Sequence, residues 1–296
     1  HFFVHSRRSQ KSYVHQIKTS KTEYAISRLL CKIDGSDGFW NYYSTKKLIS
    51  ELKAISPDIV HLHNIHGHYI NMSLLMKYLR QSKCKILWTF HDCWPFTGKC
   101  SYFSSIECNK WTNYHCPNCG AKRQYPRAYL FNGASYLMER KKKILLPLLN
   151  RINIITPSLW LQGLVKKSIL KESVCECIHN GISFKIAISQ KEIEDERNRL
   201  KIAKDKIVVF SAADPFNERK GFNQYNEIAK NSLNENFVFI VAGLTEKQKN
   251  IIPQNVISIG KIRERNRMAL FFSLSDVFLN TTLEDNYPTV NIESII

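Results

Sequence analysis

Short apolar runs of strand length alternate with amphipathic stretches of helix length along most of the chain. Residues 59–63, 85–90, 152–156 and 174–178 read as buried strands. Residues 72–79, 136–149 and 158–168 read as helices, the last opened by Ser158 as an N-cap. A charged bridge comes next at 183–205, in which 190–204 has the pattern of a solvated helix. A second alternation then gives strands at 207–211, 237–243, 256–259 and 277–280, with helices at 222–231 and 265–273. Strands alternating with helices predict parallel sheets joined by right-handed crossovers. Two domains are therefore expected: 1–182, carrying a polar, Cys- and aromatic-rich insertion at 92–125, and 183–296. Residues 1–56 add little beyond a helical segment that ends at Ser56-Pro57-Asp58.

Open parallel sheets bind ligands at the carboxyl ends of their strands. The segments leaving those ends are polar here: HLHNIHGH from His61, His91-Asp92 after 85–90, AADPFNERKGF from Ala212, and TTLEDNYP after Asn280. Arg219 and Lys220 stand between a strand and a helix, where they read as fixed cations for a pyrophosphate; a solvated loop is the other reading. Gly221 permits close backbone approach. In the last stretch, Asp285 precedes Glu293 by eight positions, and Pro288 suits the first turn of a helix over 289–296. Free amides at Thr289 and Val290 would form an anion site, with Asp285 near a sugar hydroxyl and Glu293 near a ribose diol. An acidic turn that satisfies the helix dipole is the other reading of the same spacing.

Composition narrows the class. Of 296 residues, 44% are hydrophobic and 23% charged, which fits a globular protein with a sizeable core and calls for no disorder. No window approaches the ~20 apolar residues of a membrane-spanning helix. The chain begins with His1 and runs out inside a helical pattern, so it is expected to be cut from a longer protein at both ends. The net charge of +18 predicts anionic partners such as nucleotides, lipid phosphates or nucleic acid. The basic cluster at 140–143 has two readings, a solvated helix face or a surface resting on an acidic membrane.

Five of nine cysteines lie between 93 and 119. Cys100, Cys108, Cys116 and Cys119 are spaced as a possible structural zinc site, with Cys93 and His115 as spare ligands. Reduced packed thiols and disulfides are the other readings, the latter disfavoured in a reducing cytosol. His61, His63, His66 and His68 read as cleft lining and loop hydrogen bonding before metal. Cys175 and Cys177, alternating on a strand, read as packed thiols.

The stretch LEDNYPTVNIES resembles the acidic motif of retaining GT-B glycosyltransferases. With PDIVHLHNIHGHYIN, WTFHDCWPFTGKCSYF, TPSLWL, HNGI, ERKG and VAGLTEKQ in order, it resembles the bacterial capsule, exopolysaccharide and colanic-acid-type group over roughly 57–296. The resemblance implies an α/β fold of two Rossmann-like domains facing a cleft, both incomplete here. The first is the acceptor side and the second binds the nucleotide-sugar. It implies transfer, with retention, from a donor such as a UDP-sugar to a lipid-linked saccharide in surface polysaccharide synthesis. Arg219 and Lys220 would hold the diphosphate, Glu293 the ribose, Asp285 the donor sugar, and His91 the sugar from the other domain. Gly221, Glu284, Asn286, Tyr287, Pro288 and Thr289 complete the donor set, and whether Glu284 or Asp285 reaches the sugar stays open. No metal is required for catalysis. The partners implied are the nucleotide-sugar, the lipid-linked acceptor and an anionic membrane surface, with no nucleic acid. The location implied is cytoplasmic, peripheral at the inner face of the membrane. The alternative from a different class is a zinc-stabilised basic nucleic-acid-binding protein.

Overall fold

The structure is a computed structural model that describes residues 1–4, 14–182, 186–232 and 236–295. The chain divides into two compact units, His1–His179 and Asn180–Ile296. In the first, β1 (Phe2–Val4) pairs in parallel with β2 (Val14–Gln16), and α1 (Lys21–Asp34) and α2 (Tyr42–Ile55) come after them. Then come β3 (Ile59–Leu62), α3 (Met72–Gln81), β4 (Lys85–Thr89), α4 (Ala134–Leu145), β5 (Ile152–Thr156), α5 (Leu159–Val165) and β6 (Val174–Cys177). The second unit holds α6 (Gln190–Arg199), β7 (Ile207–Ala212), α7 (Phe222–Asn231), β8 (Phe237–Ala242), α8 (Glu246–Lys249), β9 (Val256–Ser258), α9 (Arg265–Leu274), β10 (Val277–Phe278) and α10 (Thr289–Glu293).

Each unit has a four-stranded parallel sheet, in the orders β3-β4-β5-β6 and β10-β7-β8-β9. Strand alternation sorts the second unit's core into two layers. Val209, Phe239 and Val241 face Phe222 and Tyr225 of α7. Their neighbours Val208, Phe210 and Ile240 pack with Phe271 and Leu274 of α9. The helix read as solvated is not wholly so. It runs Gln190–Arg199 behind a Ser189/Glu192 capping box. Ile193 packs on the core, and buried Glu196 binds Arg199 and lies 3.8 Å from Arg267.

One expectation is corrected in the first unit. Of the basic cluster at 140–143, Lys143 is exposed, but the other three are not free on a solvated face. Lys141 is fully buried: its Nζ donates to Trp94 O and Thr97 O and sits 3.8 Å from the Trp94 ring centroid. Arg140 lies over the Phe39 ring and donates to Ser73 Oγ, and Lys142 pairs with Glu139. The insertion at 92–125 also has an apolar core, supplied by Trp94, Phe96, Phe103 and Trp111 rather than by aliphatics. Its second buried cation, Lys99, donates to Ala121 O and Pro126 O at 3.0 and 2.5 Å.

Gly243 closes β8 at φ +94°, and a Cβ there would lie 1.7 Å from Ala213 O. Replacing it with Ala imposes both a left-handed strain and a backbone clash. Gly243→Ala is expected to destabilise the second unit by about 2–4 kcal/mol. Urea unfolding of the variant checks this, and an unchanged midpoint would contradict it.

Candidate active site

In the second unit, β10 pairs directly with β7, so the loops that leave their carboxyl ends are neighbours. The loop after β7 carries Arg219, Lys220 and Gly221; the loop after β10 carries Glu284, Asp285 and Asn286. Leu283 N–H donates to Arg219 O at 2.9 Å, and Arg219 Nη1 donates to Glu284 O at 2.6 Å. Lys220 Nζ forms an ion pair with Asp285 Oδ2. Two cations and two acids expected to serve one ligand are thus brought together by the fold. Glu284 and Asn286 are nearly buried, and Asp285 Oδ1 also accepts from Asn286 N–H at 2.9 Å.

Gly221 has φ +76°, and a Cβ on it would sit 1.8 Å from Thr281 O. The close approach that this glycine permits is to Thr281 of its own chain, whose hydroxyl donates to Gly221 O at 2.9 Å. Helix α10 is shorter than the expected 289–296: it spans Thr289–Glu293, Pro288 precedes it, and Ile296 lies outside the described residues. Asn280 Nδ2 donates to Asn291 Oδ1 at 2.6 Å, which fastens α10 to the end of β10. Glu293 is half-buried on that helix. The ion pair between Lys261 and Asp214, 2.7 Å apart, was not foreseen from the sequence.

In the first unit, the parallel pairing of β3 with β4 sets His61 and His63 beside Thr89 and His91. His61 Nε2 is 2.8 Å from Thr89 Oγ1, and His63 Nδ1 is 3.0 Å from His91 Nε2 with the two rings stacked. Burial lowers the pKa of all three histidines; neighbouring rings add to it at His63 and His91, and at His91 the Asp92 carboxylate opposes it without reversing it. His63 falls furthest, to about 4.

Behind His91 lies a chain of polar groups, buried at Asp37 and Asp92 and reaching the surface at Tyr125. His66 Nε2 is 3.1 Å from Asp92 Oδ2, and His66 Nδ1 is 3.1 Å from the Tyr125 hydroxyl. Tyr125 gives its proton to Asp37 Oδ2 at 2.8 Å. Its oxygen therefore accepts from His66 Nδ1–H, while Nε2–H faces the Asp92 carboxylate. Both ring nitrogens carry protons in this arrangement. Burial opposes charge on His66, but Asp92 and Asp37 outweigh it and raise its pKa. Asp37 also accepts from the backbone N–H groups of Gly38, Gly67 and His68. Sequence reasoning missed Asp37 and Tyr125; the Gly35-Ser36-Asp37-Gly38 run was the available signal.

The four cysteines expected to bind zinc line one small pocket, together with Phe103, Trp111 and Lys110. Even so, among the described residues no three His, Cys, Asp or Glu side chains are placed to hold a metal ion, so structural zinc is without support. Cys100 and Cys119 are hydrogen-bonded thiols with sulfurs 3.8 Å apart. That bond holds the Cys100 proton and favours the Cys119 thiolate, and burial raises Cys116 to about 11. Cys175 packs against the core, and burial raises it to about 11.

Residues 32–211, more than half of the chain, match the sequence profile of Glycosyltransferase Family 4. The chain is 21% identical over 294 residues to WcaC, a putative colanic acid biosynthesis glycosyl transferase of Escherichia coli (strain K12), covering 97% of this chain and 69% of that protein. It resembles sucrose-phosphate synthase from Thermosynechococcus elongatus with TM-score 0.56 at 15% identity, over 85% of this chain and 58% of that one. A glycosyltransferase from Rickettsia africae ESF-5 matches with TM-score 0.55 at 10% identity, over 95% and 62%. Anabaena HepE in complex with UDP and glucose matches with TM-score 0.51 at 12% identity, over 85% and 60%. The chain thus spans about three fifths of the length of these solved proteins. The likenesses carry the fold, parallel α/β sheets of the GT-B kind. They lend nothing to the nucleic-acid-binding alternative.

Proton NMR titration of the histidines tests the electrostatics of the first unit. His63 is expected to stay neutral until pH falls toward about 4. His66 is expected to stay charged above the ordinary histidine range near 6.5. The two act oppositely on stability. The unfolded chain protonates first at the His63 position, so that contribution is lost as pH falls below about 6.5. The His66 contribution is complete below about 6.5 and is lost as pH rises through its raised value. Two ordinary titrations near 6.5 would contradict the arrangement.

Proposed function

The chain belongs to Glycosyltransferase Family 4, and we propose that it moves a sugar, with retention of configuration, from a UDP-linked donor to a lipid-linked saccharide. The setting of that reading is surface polysaccharide synthesis, of capsule or exopolysaccharide type, at the inner face of the cell membrane. One observation carries it: Arg219 and Lys220 meet Glu284 and Asp285 at the carboxyl ends of two paired strands. Support comes from Anabaena HepE, solved with UDP and glucose, and from WcaC, described as a colanic acid biosynthesis enzyme.

The chemistry assigned to each residue follows from charge. Breaking the sugar–phosphate bond leaves negative charge on the diphosphate. Arg219 and Lys220 are fixed cations that stabilise that charge as it develops, with no metal in the role. Gly221 holds their loop against Thr281 and keeps both cations in place. Asp285 exchanges its lysine partner for a hydroxyl of the donor sugar. Glu293 accepts hydrogen bonds from the ribose diol, and the turn from Asn286 through Thr289 shapes the pocket. His91, neutral at physiological pH because burial lowers its pKa, offers the transferred sugar a hydrogen-bonding group without adding positive charge.

Calorimetric titration with UDP tests the donor assignment. Arg219→Ala and Glu293→Ala are each expected to weaken binding at least about tenfold, since each removes charge-assisted hydrogen bonds. Exposed Lys204→Ala is the control and should leave binding within about twofold, as surface charges away from a site do. Wild-type protein that takes up no UDP, or an Arg219→Ala variant that binds it unchanged, would contradict the reading.

A further inference from the structure

We propose that the outer face of α1 and the loop at 122–132 form one docking surface for an anionic phospholipid bilayer. The inference deepens the membrane part of the function proposed above and rests on that reading for the acceptor's location. Its residues belong to the first unit, whereas the nucleotide residues belong to the second.

The loop is tied to the end of the helix by its backbone. Tyr129 N–H donates to Lys32 O, and Leu130 and Phe131 N–H donate to Ile33 O, at 2.7, 3.1 and 2.9 Å. Lys122 Nζ donates to Leu130 O at 3.0 Å and braces the turn. Leu130 and Phe131 are thereby held out in solvent, 65% and 67% exposed. On α1, Ile26 and Leu29 stand three residues apart on one side of the helix and are 56% and 63% exposed. Four large apolar side chains thus protrude from one helix and the turn fastened to its end.

Charge around them has one sign. Lys21, Arg28 and Lys32 are exposed on α1, and Arg123 and Arg127 are exposed in the loop. Residues 121–133 contain no Asp or Glu. The two acids of α1 are turned to internal use. Glu23 accepts from the N–H groups of Tyr43 and Ser44 at the start of α2, and Asp34 accepts from Ser36 N–H. This is the composition of an interfacial helix: apolar side chains that enter the acyl boundary, ringed by cations that meet lipid phosphates. Nucleic acid would use the cations but leave the aliphatic tips in water. The cluster at 140–143 is a poorer match for this role, because Lys141 is buried, Arg140 and Lys142 are engaged, and Lys143 alone of the four is exposed.

Co-sedimentation with vesicles of phosphatidylcholine alone, and with added phosphatidylglycerol, tests the proposal. The chain is expected to bind the phosphatidylglycerol vesicles at least about tenfold more tightly, with the preference falling at high salt. The double variant Leu130→Ser, Phe131→Ser and the double variant Arg28→Glu, Lys32→Glu should each lose about tenfold or more in vesicle binding. All four positions are exposed, and unchanged UDP binding would report that the variants fold. A wild-type chain that stays in the supernatant overturns the proposal, as do variants that sediment like the wild type. A dimer in light scattering that the apolar double variant abolishes would assign the surface to a second copy instead. Loss of UDP binding with vesicle binding intact would count against the proposed function and leave the surface standing.

Discussion

Parallel strands all deliver the chain to the same edge of a sheet, and both clusters of polar residues in this protein arise from that constraint. β10 lies beside β7, with Val277 opposite Val209, so residues 65 apart in sequence meet as Lys220–Asp285 and Arg219–Glu284. β3 lies beside β4, and the same geometry joins His63 to His91. Neither cluster depends on a long structured loop to bring its members together. Each needs only that two adjacent strands end together and lead into short, polar segments.

The insertion after β4 solves a different problem. It must hold many turns without regular pairing, and it does so with aromatic packing and two buried ammonium groups. Lys99 and Lys141 point into it and donate their protons to backbone carbonyls. Burial disfavours their charged forms and brings Lys141 down to about 7. Carbonyl acceptors and the Trp94 ring offset that cost. The cysteines fill space in the same core; Cys100 and Cys119 bond to each other, and Cys116 is held by the Gly98 backbone.

The main strands and helices were legible where the hydrophobic period was long and the ends were marked. β5 and α7 agree to the residue with the expectation, and Ser158 caps α5 by accepting from Leu161 N–H. Helix α1 was not resolved from the sequence, because it turns Ile26 and Leu29 outward, which blurs its apolar stripe; of α2 the sequence showed only the end at Ser56. The candidate site was legible as residue types but not as contacts. The order β10-β7-β8-β9 places a late strand beside an early one, and local sequence says nothing of that adjacency. A buried lysine inside Lys141-Lys142-Lys143 carries no sequence mark either; only the Trp94 and Thr97 carbonyls distinguish it from its neighbours. The zinc reading came from spacing alone, and spacing cannot see which way thiols point.

The proposed function turns on separation of the Lys220–Asp285 pair when the donor arrives, the lysine going to the diphosphate and the aspartate to the sugar. A crystal structure of the chain with a UDP-sugar measures this directly. Diphosphate oxygens are expected within hydrogen-bonding reach of Lys220 Nζ and the Arg219 guanidinium, with Asp285 on a sugar hydroxyl and Glu293 on the ribose. A donor bound elsewhere, or one bound while Lys220 and Asp285 remain paired, would contradict it.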